Sequence, residues 1–473
     1  MTEAVTLGVA ARAVGDLPGP RGLPLLGNLP GFVRGGVPHR TLEAWCDRYG
    51  STFRMSLGRM PAVVTADPSV VARIQRQRPD EFRRSSHMTG VLDEIGVHGV
   101  FTAEGDEWRR LRKMATQALN AAYLRQYFST IATVTERLKR RWDTSAGDGR
   151  SVDVLDDMMR YTLDVTSGLA MGHDLNSLEQ TGDGLHRRLP LLFPEFGRRI
   201  NAPVAYWRWF RLPRDRRLDA TVREIDALVR DRFAEATRRM AGGGEPANFL
   251  EALVAPLEGE SPFTHEEVFG NVLTMLLAGE DTTSSTAAWA IHHLAENPDV
   301  QERVRAEADE VLGDSGFPAD PATVGRLGFA EAVVHEVARL RPVAPFLAFQ
   351  PLRDVTFDTE HGPLLVEKGV PVFALMAYGA RRDLDRYPEP EVFRPERWLE
   401  GRLPRESLPF MPFGGGPRFC PGRNLALLEA TIVVSLLCRS FTVEPDTSAG
   451  VVEERMSFTA YPTNLRVRLR ARQ

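Results

Sequence analysis

The sequence predicts a mainly α fold with a minor β part, organised as one large domain around a long central helix. Three observations predict it. From Asp106 onward, apolar residues recur at helical spacing in most segments. The stretch "THEEVFGNVLTMLLAGEDTTSSTAAWAIHHLAENP" keeps a helical pattern for more than 30 residues, against an average helix of about 11–12. Strand-like alternation is confined to short pieces between proline- and glycine-rich turns.

In chain order, residues 1–16 read as a disordered tail, and "LPGPRGLPLLGNLP" as an extended, stiff lead-in. "STFRMSLGRMPAVVTADP" alternates around a glycine-containing turn and predicts a β-hairpin. "DEWRRLRKMATQAL", "TVTERLKRRW", "DVLDDMMRYTLDVTSGLAM" and "ATVREIDALVRDRFAEATRRM" predict helices. In the long helix, Thr264 is the expected N-cap, Glu267 completes a capping box, and Pro298 ends it. Two more helices follow, around "DVQERVRAEADEVLG" and "AEAVVHEVARLRP". After Pro342 come short strands such as "VPVFALMAY", a final helix in "RNLALLEATIVVSLLCRSF", and C-terminal strands with a turn in "RMSFTAYPTNLRVRLRA".

With 473 residues and ordinary apolar content, the chain can bury a sizeable core. A net charge of -4 argues against a general nucleic-acid binder. Three cysteines, Cys46, Cys420 and Cys438, without a CxxC pair fit neither a disulfide framework nor a zinc site. The N-terminal residues lack a clear signal-peptide pattern, and no stretch reaches the roughly 18 apolar residues of a spanning helix. The expectation is a soluble, cytoplasmic protein without a membrane anchor.

Cys420 lies in "FGGGPRFCPGRNLALLE", and three uses are open to it. A buried structural thiol is the default for a lone cysteine. A nucleophile needs an activating neighbour, and no histidine is close in sequence. A single thiolate cannot hold zinc, but it can be the axial ligand of haem iron. The neighbours favour the last use. Gly414, Gly415 and Gly416 let backbone come close to a flat cofactor, and Arg418 offers a fork suited to a propionate. Phe413 can shield one side, and a helix starting near Pro421 points its positive end at the sulfur. Pro421 suits a first helical turn, yet it also removes an N–H that could have bonded that sulfur.

Midway along the long helix, "LLAGEDTTSS" places two acids and two threonines where an apolar pattern should continue. The plain reading is a polar kink, since threonine hydroxyls bond back to carbonyls one turn earlier and Gly279 weakens the helix. The functional reading is a local break with room for dioxygen and water, beside an acid and an alcohol that pass protons.

Phe413, Gly416, Arg418, Cys420 and Gly422 match, in order and spacing, the haem-binding signature of the cytochrome P450 superfamily, which the chain resembles. Ala278, Gly279, Glu280, Asp281, Thr282 and Thr283 match that family's oxygen-activation motif. The motifs run from Pro18 to Gly422, nearly the whole chain. The resemblance implies a single haem-thiolate domain over 17–473 of the soluble bacterial type, with the long helix as its oxygen-activation helix. Haem b is the implied cofactor and Cys420 the implied iron ligand. Phe413, Gly414, Gly416, Arg418, Ala278 and Gly279 line the cofactor by the same resemblance. Thr282 hydrogen-bonds the activated oxygen and Asp281 feeds it protons. Glu280, at the variable position, contacts solvent.

Trp108 and Arg112, one turn apart, are implied to bind a haem propionate. Arg109, Arg110, Lys113 and Arg423 would form a basic patch for an acidic electron-transfer partner, although a solvated helix face explains those charges equally well. Glu336 and Arg339 in "HEVARL" are implied to form a buried network with Arg397 of "FRPERW". Two positions depart from the family pattern. Phe349 stands where relatives often carry a propionate-binding arginine, and Arg381 precedes the Arg382–Asp383 pair in place of the commonest residue.

The implied activity is a monooxygenase that takes dioxygen and two electrons and oxidises a small-molecule substrate. No flavin or iron–sulfur domain is apparent, so a separate ferredoxin or flavodoxin with its reductase is the expected partner of a monomeric enzyme. Oxidative ring coupling or C–N and C–C bond formation on the same haem is an alternative. A haem sensor or carrier without turnover is another, from a different class. The implied pocket runs through Ser85–Val100, Leu185–Phe210, the stretch before Thr282, Val343–Phe349 and the region of Ala460. Its aromatic and apolar residues, with arginines, suit a lipophilic or aromatic molecule with an anionic group. Secondary metabolism, fatty acids and xenobiotics are all open.

Overall fold

A computed structural model of the chain describes residues 11–180, 189, 192–200, 202, 204–255, 263–400 and 410–472. It is mainly helical with a minor β part and forms two compact units. The first comprises Met1–Ser86, Ala344–Pro390 and Glu406–Phe419; the second comprises His87–Val343, Glu391–Arg405 and Cys420–Gln473.

In the first unit the predicted hairpin forms, with Thr52–Leu57 antiparallel to Met60–Thr65. It extends into a five-stranded sheet through Val372–Leu375, Phe346–Pro351 and Phe82–Arg84. Helix Pro68–Arg76 is capped by the Asp67 carboxylate, which accepts the Ser69 N–H at 2.8 Å. Its apolar face packs Val70, Val71 and Ile74 with Phe82 and Phe349. Two expectations are corrected here. Of the supposed disordered tail, residues 1–10 lie outside the described residues, but Arg12–Ala13 pair with Leu364–Leu365 and Val14 is buried. The strand pairing and the burial of Val14 and Leu17 hold that segment in place. The lead-in is not simply extended: Leu23 and Gly27 exchange backbone hydrogen bonds, and Leu29–Val33 is helical.

In the second unit the long helix runs without interruption over His265–Glu296. Its capping box is formed, with Glu267 N–H donating to Thr264 Oγ1 at 3.2 Å and Thr264 N–H to Glu267 Oε2 at 2.7 Å. Pro298 opens the next helix. The expected break at mid-length is absent. The Thr282 hydroxyl bonds to the helix's own backbone instead, donating to Ala278 O at 2.7 Å, and Thr162 Oγ1 of the neighbouring helix donates to Glu280 O at 3.1 Å. The helix Val154–Met171 packs along this stretch. Gly279 makes the approach possible, because a Cβ there would lie 2.6 Å from Thr166 Oγ1.

Glu336 anchors a buried cluster in this unit. Its carboxylate accepts Arg339 Nε at 2.9 Å, Arg397 Nε at 3.0 Å, Trp398 Nε1 at 2.9 Å and Arg394 N–H at 3.0 Å. Glu336 and Arg339 are both fully buried. Four donors on one carboxylate satisfy charges that would otherwise be very unfavourable in the core.

Candidate active site

Helix Arg423–Ser440 begins two residues later than Pro421, with Gly422 at its N-cap. The Gly422 and Arg423 N–H groups lie close enough to Cys420 Sγ to favour its thiolate, and the Arg423 N–H also reaches the Cys420 carbonyl at 3.5 Å, closing a turn ahead of the helix. Burial pushes the Cys420 thiol up, opposed by those N–H groups and by the nearby charges of Arg112 and Arg423. Cys46 and Cys438 differ: burial raises them to about 11 and about 12, and both are buried core thiols.

Helix Gly105–Ala118 presents Trp108, buried, and Arg112, half-buried, one turn apart. Burial lowers the Arg112 pKa, and the charge of Cys420 acts to raise it, so the guanidinium and the sulfur feel each other. The expected basic patch is smaller than the sequence implies. Arg110 turns to Glu267 at 3.0 Å and lies over the Phe263 ring at 4.0 Å, while Arg109 pairs with Asp106 at 2.6 Å.

Phe413, Gly414, Gly416 and Arg418 belong to the first unit. Gly414 and Gly416 have φ of 73° and 65°, the region that favours glycine. At Gly416 a Cβ would meet the Gln75 carbonyl oxygen at 2.2 Å, so no other residue fits. Gly416–Arg418 form a single 3-10 turn, and Phe413 and Arg418 are half-buried. In the same unit Phe349 is fully buried, and the Arg78 guanidinium lies 4.7 Å above its ring centroid. Arg78 thus stacks on the residue that stands where relatives often carry an arginine, a contact that nothing local in the sequence announces. Arg381 makes a 3.5 Å ion pair with Glu43.

On the long helix, Ala278 is exposed and Gly279 and Thr282 are half-buried, between the buried Leu277 and Asp281. Asp281 accepts a hydrogen bond from Thr459 Oγ1, a buried residue beside the C-terminal hairpin. Burial raises Asp281 to about 6, with the Thr459 bond pulling the other way. Next to Thr459, Phe458 packs on Phe101, Phe193 and Phe196, with ring centroids 5.9–6.4 Å apart. This aromatic cluster joins the expected lining segment Leu185–Phe210 to the region of Ala460, with Phe101 one residue beyond Ser85–Val100.

Three expectations fail at this site. Glu280 does not contact solvent: it is 0% exposed, because the helical period puts it on the buried face with Leu276 and Leu277. Arg198 and Arg199 are not available to a substrate anion, since both pair with buried Asp215 at 2.7 and 3.1 Å. Trp209 and Phe210 point outward, 74% and 56% exposed. Residues 185–188, 190–191, 201 and 203 of the expected lining lie outside the described residues.

The cytochrome P450 family profile matches residues 17–468, and the chain belongs to that family. Human mitochondrial 25-hydroxyvitamin D-1 alpha hydroxylase is 31% identical over 96% of this chain and 92% of its own. A self-sufficient cytochrome P450 monooxygenase of Phanerodontia chrysosporium is 28% identical over 95% of this chain and 42% of its own. The chloroplastic protein LUTEIN DEFICIENT 5 of Arabidopsis thaliana is 26% identical over 88% of this chain and 71% of its own. Membership makes the chain an oxidoreductase of the monooxygenase class and implies a haem-iron cofactor. The residues fit such a group: a sulfur with two N–H donors and a guanidinium nearby suits a thiolate ligand, and the long helix has an open face at Ala278 and Thr282. Among the described residues, no helix is long and apolar enough to cross a membrane.

Proposed function

We propose that the chain is a haem-thiolate monooxygenase that carries haem b on Cys420 and oxidises a lipophilic or aromatic small molecule with dioxygen and two externally supplied electrons. The observation that carries this reading is Asp281, a buried acid with a pKa of about 6, held by Thr459 next to an aromatic cluster. An acid that exchanges its proton near neutral pH beside an apolar chamber suits proton delivery to a reaction on an apolar substrate.

The haem, when bound, supplies the reduction of dioxygen. Cys420 holds it through the sulfur, Trp108, Arg112 and Arg418 take its propionates, and Phe413, Gly414, Gly416, Ala278 and Gly279 leave room for the ring. Asp281 moves protons, and Thr282, oriented by its bond to the Ala278 carbonyl, presents its hydroxyl oxygen as an acceptor. Retention of this acid–alcohol pair favours oxygen-dependent turnover over a carrier or sensor role. Electrons come from a separate ferredoxin or flavodoxin system, received at the exposed Arg109 and Lys113. The enzyme works in the cytoplasm as a monomer, in secondary metabolism. A relative named as a 25-hydroxyvitamin D hydroxylase supports hydroxylation as the outcome.

The test is a compound library screened for the spin-state shift on substrate binding. Lipophilic and aromatic compounds without a required anionic group should give it. If only hydrophilic anions did, the substrate assignment would be wrong.

A further inference from the structure

Glu280 is buried to 0% exposure, and neither carboxyl oxygen has a hydrogen-bond partner among the described residues. Thr166 Oγ1 and Ser167 Oγ, on the helix that packs against it, also lack partners there, as does Ser285 Oγ on its own helix. Thr166 is the residue that a Cβ at Gly279 would strike, so it faces the long helix one residue from Glu280. Among the described residues the titratable group that acts on Glu280 is Asp281 on the same helix; Tyr161 on Val154–Met171 and Glu429 on Arg423–Ser440, the helices packed against it, act on each other. Among the described residues no arginine, lysine or histidine pairs with Glu280.

An unpaired carboxylate in such a place is far less favourable than a neutral acid with unmade hydrogen bonds. Buried polar groups of this kind are met by internal water, which needs two to four polar partners. The two Glu280 carboxyl oxygens and the Thr166 hydroxyl, which meets the long helix at Gly279, offer that number. A leucine at 280 would fill the same volume at no such cost, so the acid has a use beyond packing.

We propose that Glu280 is a neutral carboxylic acid which, with internal water and the Thr166 hydroxyl, forms a proton-holding site behind the long helix and supports Asp281. The support rests on Asp281 being the proton donor of the monooxygenase. Asp281 gives up its proton around neutral pH and its neighbour does not, because burial and the Asp281 charge both hold the Glu280 proton in place. Glu280 is neutral between turnovers: once Asp281 has handed on its proton it takes one from Glu280, and Glu280 takes one back from bulk water through the internal water, so one proton enters for each one delivered. Glu280 acts through Asp281 and is a positioning residue.

The experiment has two parts. Infrared spectra of the purified protein in H2O and D2O should show a protonated carboxyl band persisting well above the Asp281 midpoint, and E280Q should remove it. E280Q should leave the Asp281 midpoint where it is, since a neutral amide replaces a neutral acid. A missing band, or an Asp281 midpoint that falls in E280Q, means that Glu280 is charged and overturns the proposal. This part needs no turnover, so it is read independently of the monooxygenase assignment. In the second part, product formed per electron consumed should match wild type at acidic pH in E280Q and fall severalfold above the Asp281 midpoint. E429Q is the control, since Glu429 is equally buried and also without a partner among the described residues. Equal loss in E429Q, or a pH-independent loss in E280Q, assigns the effect to packing and overturns the reserve role.

Discussion

Thr459 donates a hydrogen bond to Asp281, joining buried residues 178 positions apart in the chain. The bond favours the ionised acid, while burial favours the neutral one, and the balance leaves Asp281 at about 6. Thr459→Val keeps the shape and removes the donor. The Asp281 midpoint should then rise, and the alkaline limb of the pH–coupling profile should move up with it. An unchanged midpoint in the infrared titration would show that the bond does not govern the acid.

The same balance predicts a stability effect with a definite sign. Asp281 binds its proton more tightly folded than unfolded, so its contribution is fully present below the unfolded value of 3.8 and is lost as pH rises through about 6. A rise of about two units corresponds to about 3 kcal/mol. Asp281→Asn removes this dependence. Its urea stability relative to wild type should improve by about 3 kcal/mol between about pH 4 and neutrality, and a constant difference would contradict the assignment.

Gly279 brings the long helix close to Val154–Met171 at Thr166. Gly279→Ala places a Cβ 2.6 Å from Thr166 Oγ1 and should cost about 1–3 kcal/mol by overpacking. Thr166→Ala removes the clashing atoms and leaves only Cβ, at 3.4 Å. The double variant should recover most of the loss in a double-mutant cycle. Simple additivity would mean that the two residues do not meet.

Glu336→Ala leaves Arg339 and Arg397 buried without their shared carboxylate. The expected cost is about 3–5 kcal/mol, read as a lowered urea midpoint or failure to accumulate folded protein. Glu336→Gln, which keeps acceptor capacity, should lose less. Equal stability of Glu336→Ala and wild type would show that the cluster is not structural.

The parts of this molecule that were legible in sequence are local. The hairpin at Thr52–Thr65, the Thr264–Glu267 capping box and the Glu336–Arg339 pair each lie within a few residues, where turn chemistry and helical period act directly. Thr459 was not legible, because nothing near it in sequence points to an acid 178 positions away. Arg78 was hidden for the same reason, since its partner Phe349 arrives from a distant strand. Glu280 had a signal that the motif reading obscured: three and four residues after Leu277 and Leu276, it falls on their buried face. The last helix starts within two residues of Pro421, with Gly422 as its N-cap, as the loop chemistry around Cys420 suggests.

Two N–H groups sharpen the role of Pro421. Those of Gly422 and Arg423 lie near the sulfur, and Pro421 between them and Cys420 has none to offer. Pro421→Leu restores a backbone donor next to the sulfur and should raise the reduction potential of the holoenzyme. A potential equal to wild type would limit Pro421 to shaping the turn.

The central claim is that Cys420 serves as a thiolate ligand. The absorption spectrum of the reduced, carbon monoxide-bound holoenzyme tests it most directly. A strongly red-shifted Soret band, lost in Cys420→His, is the predicted result. A reduced, carbon monoxide-bound protein whose Soret band stays at the position given by nitrogen ligands would contradict the account.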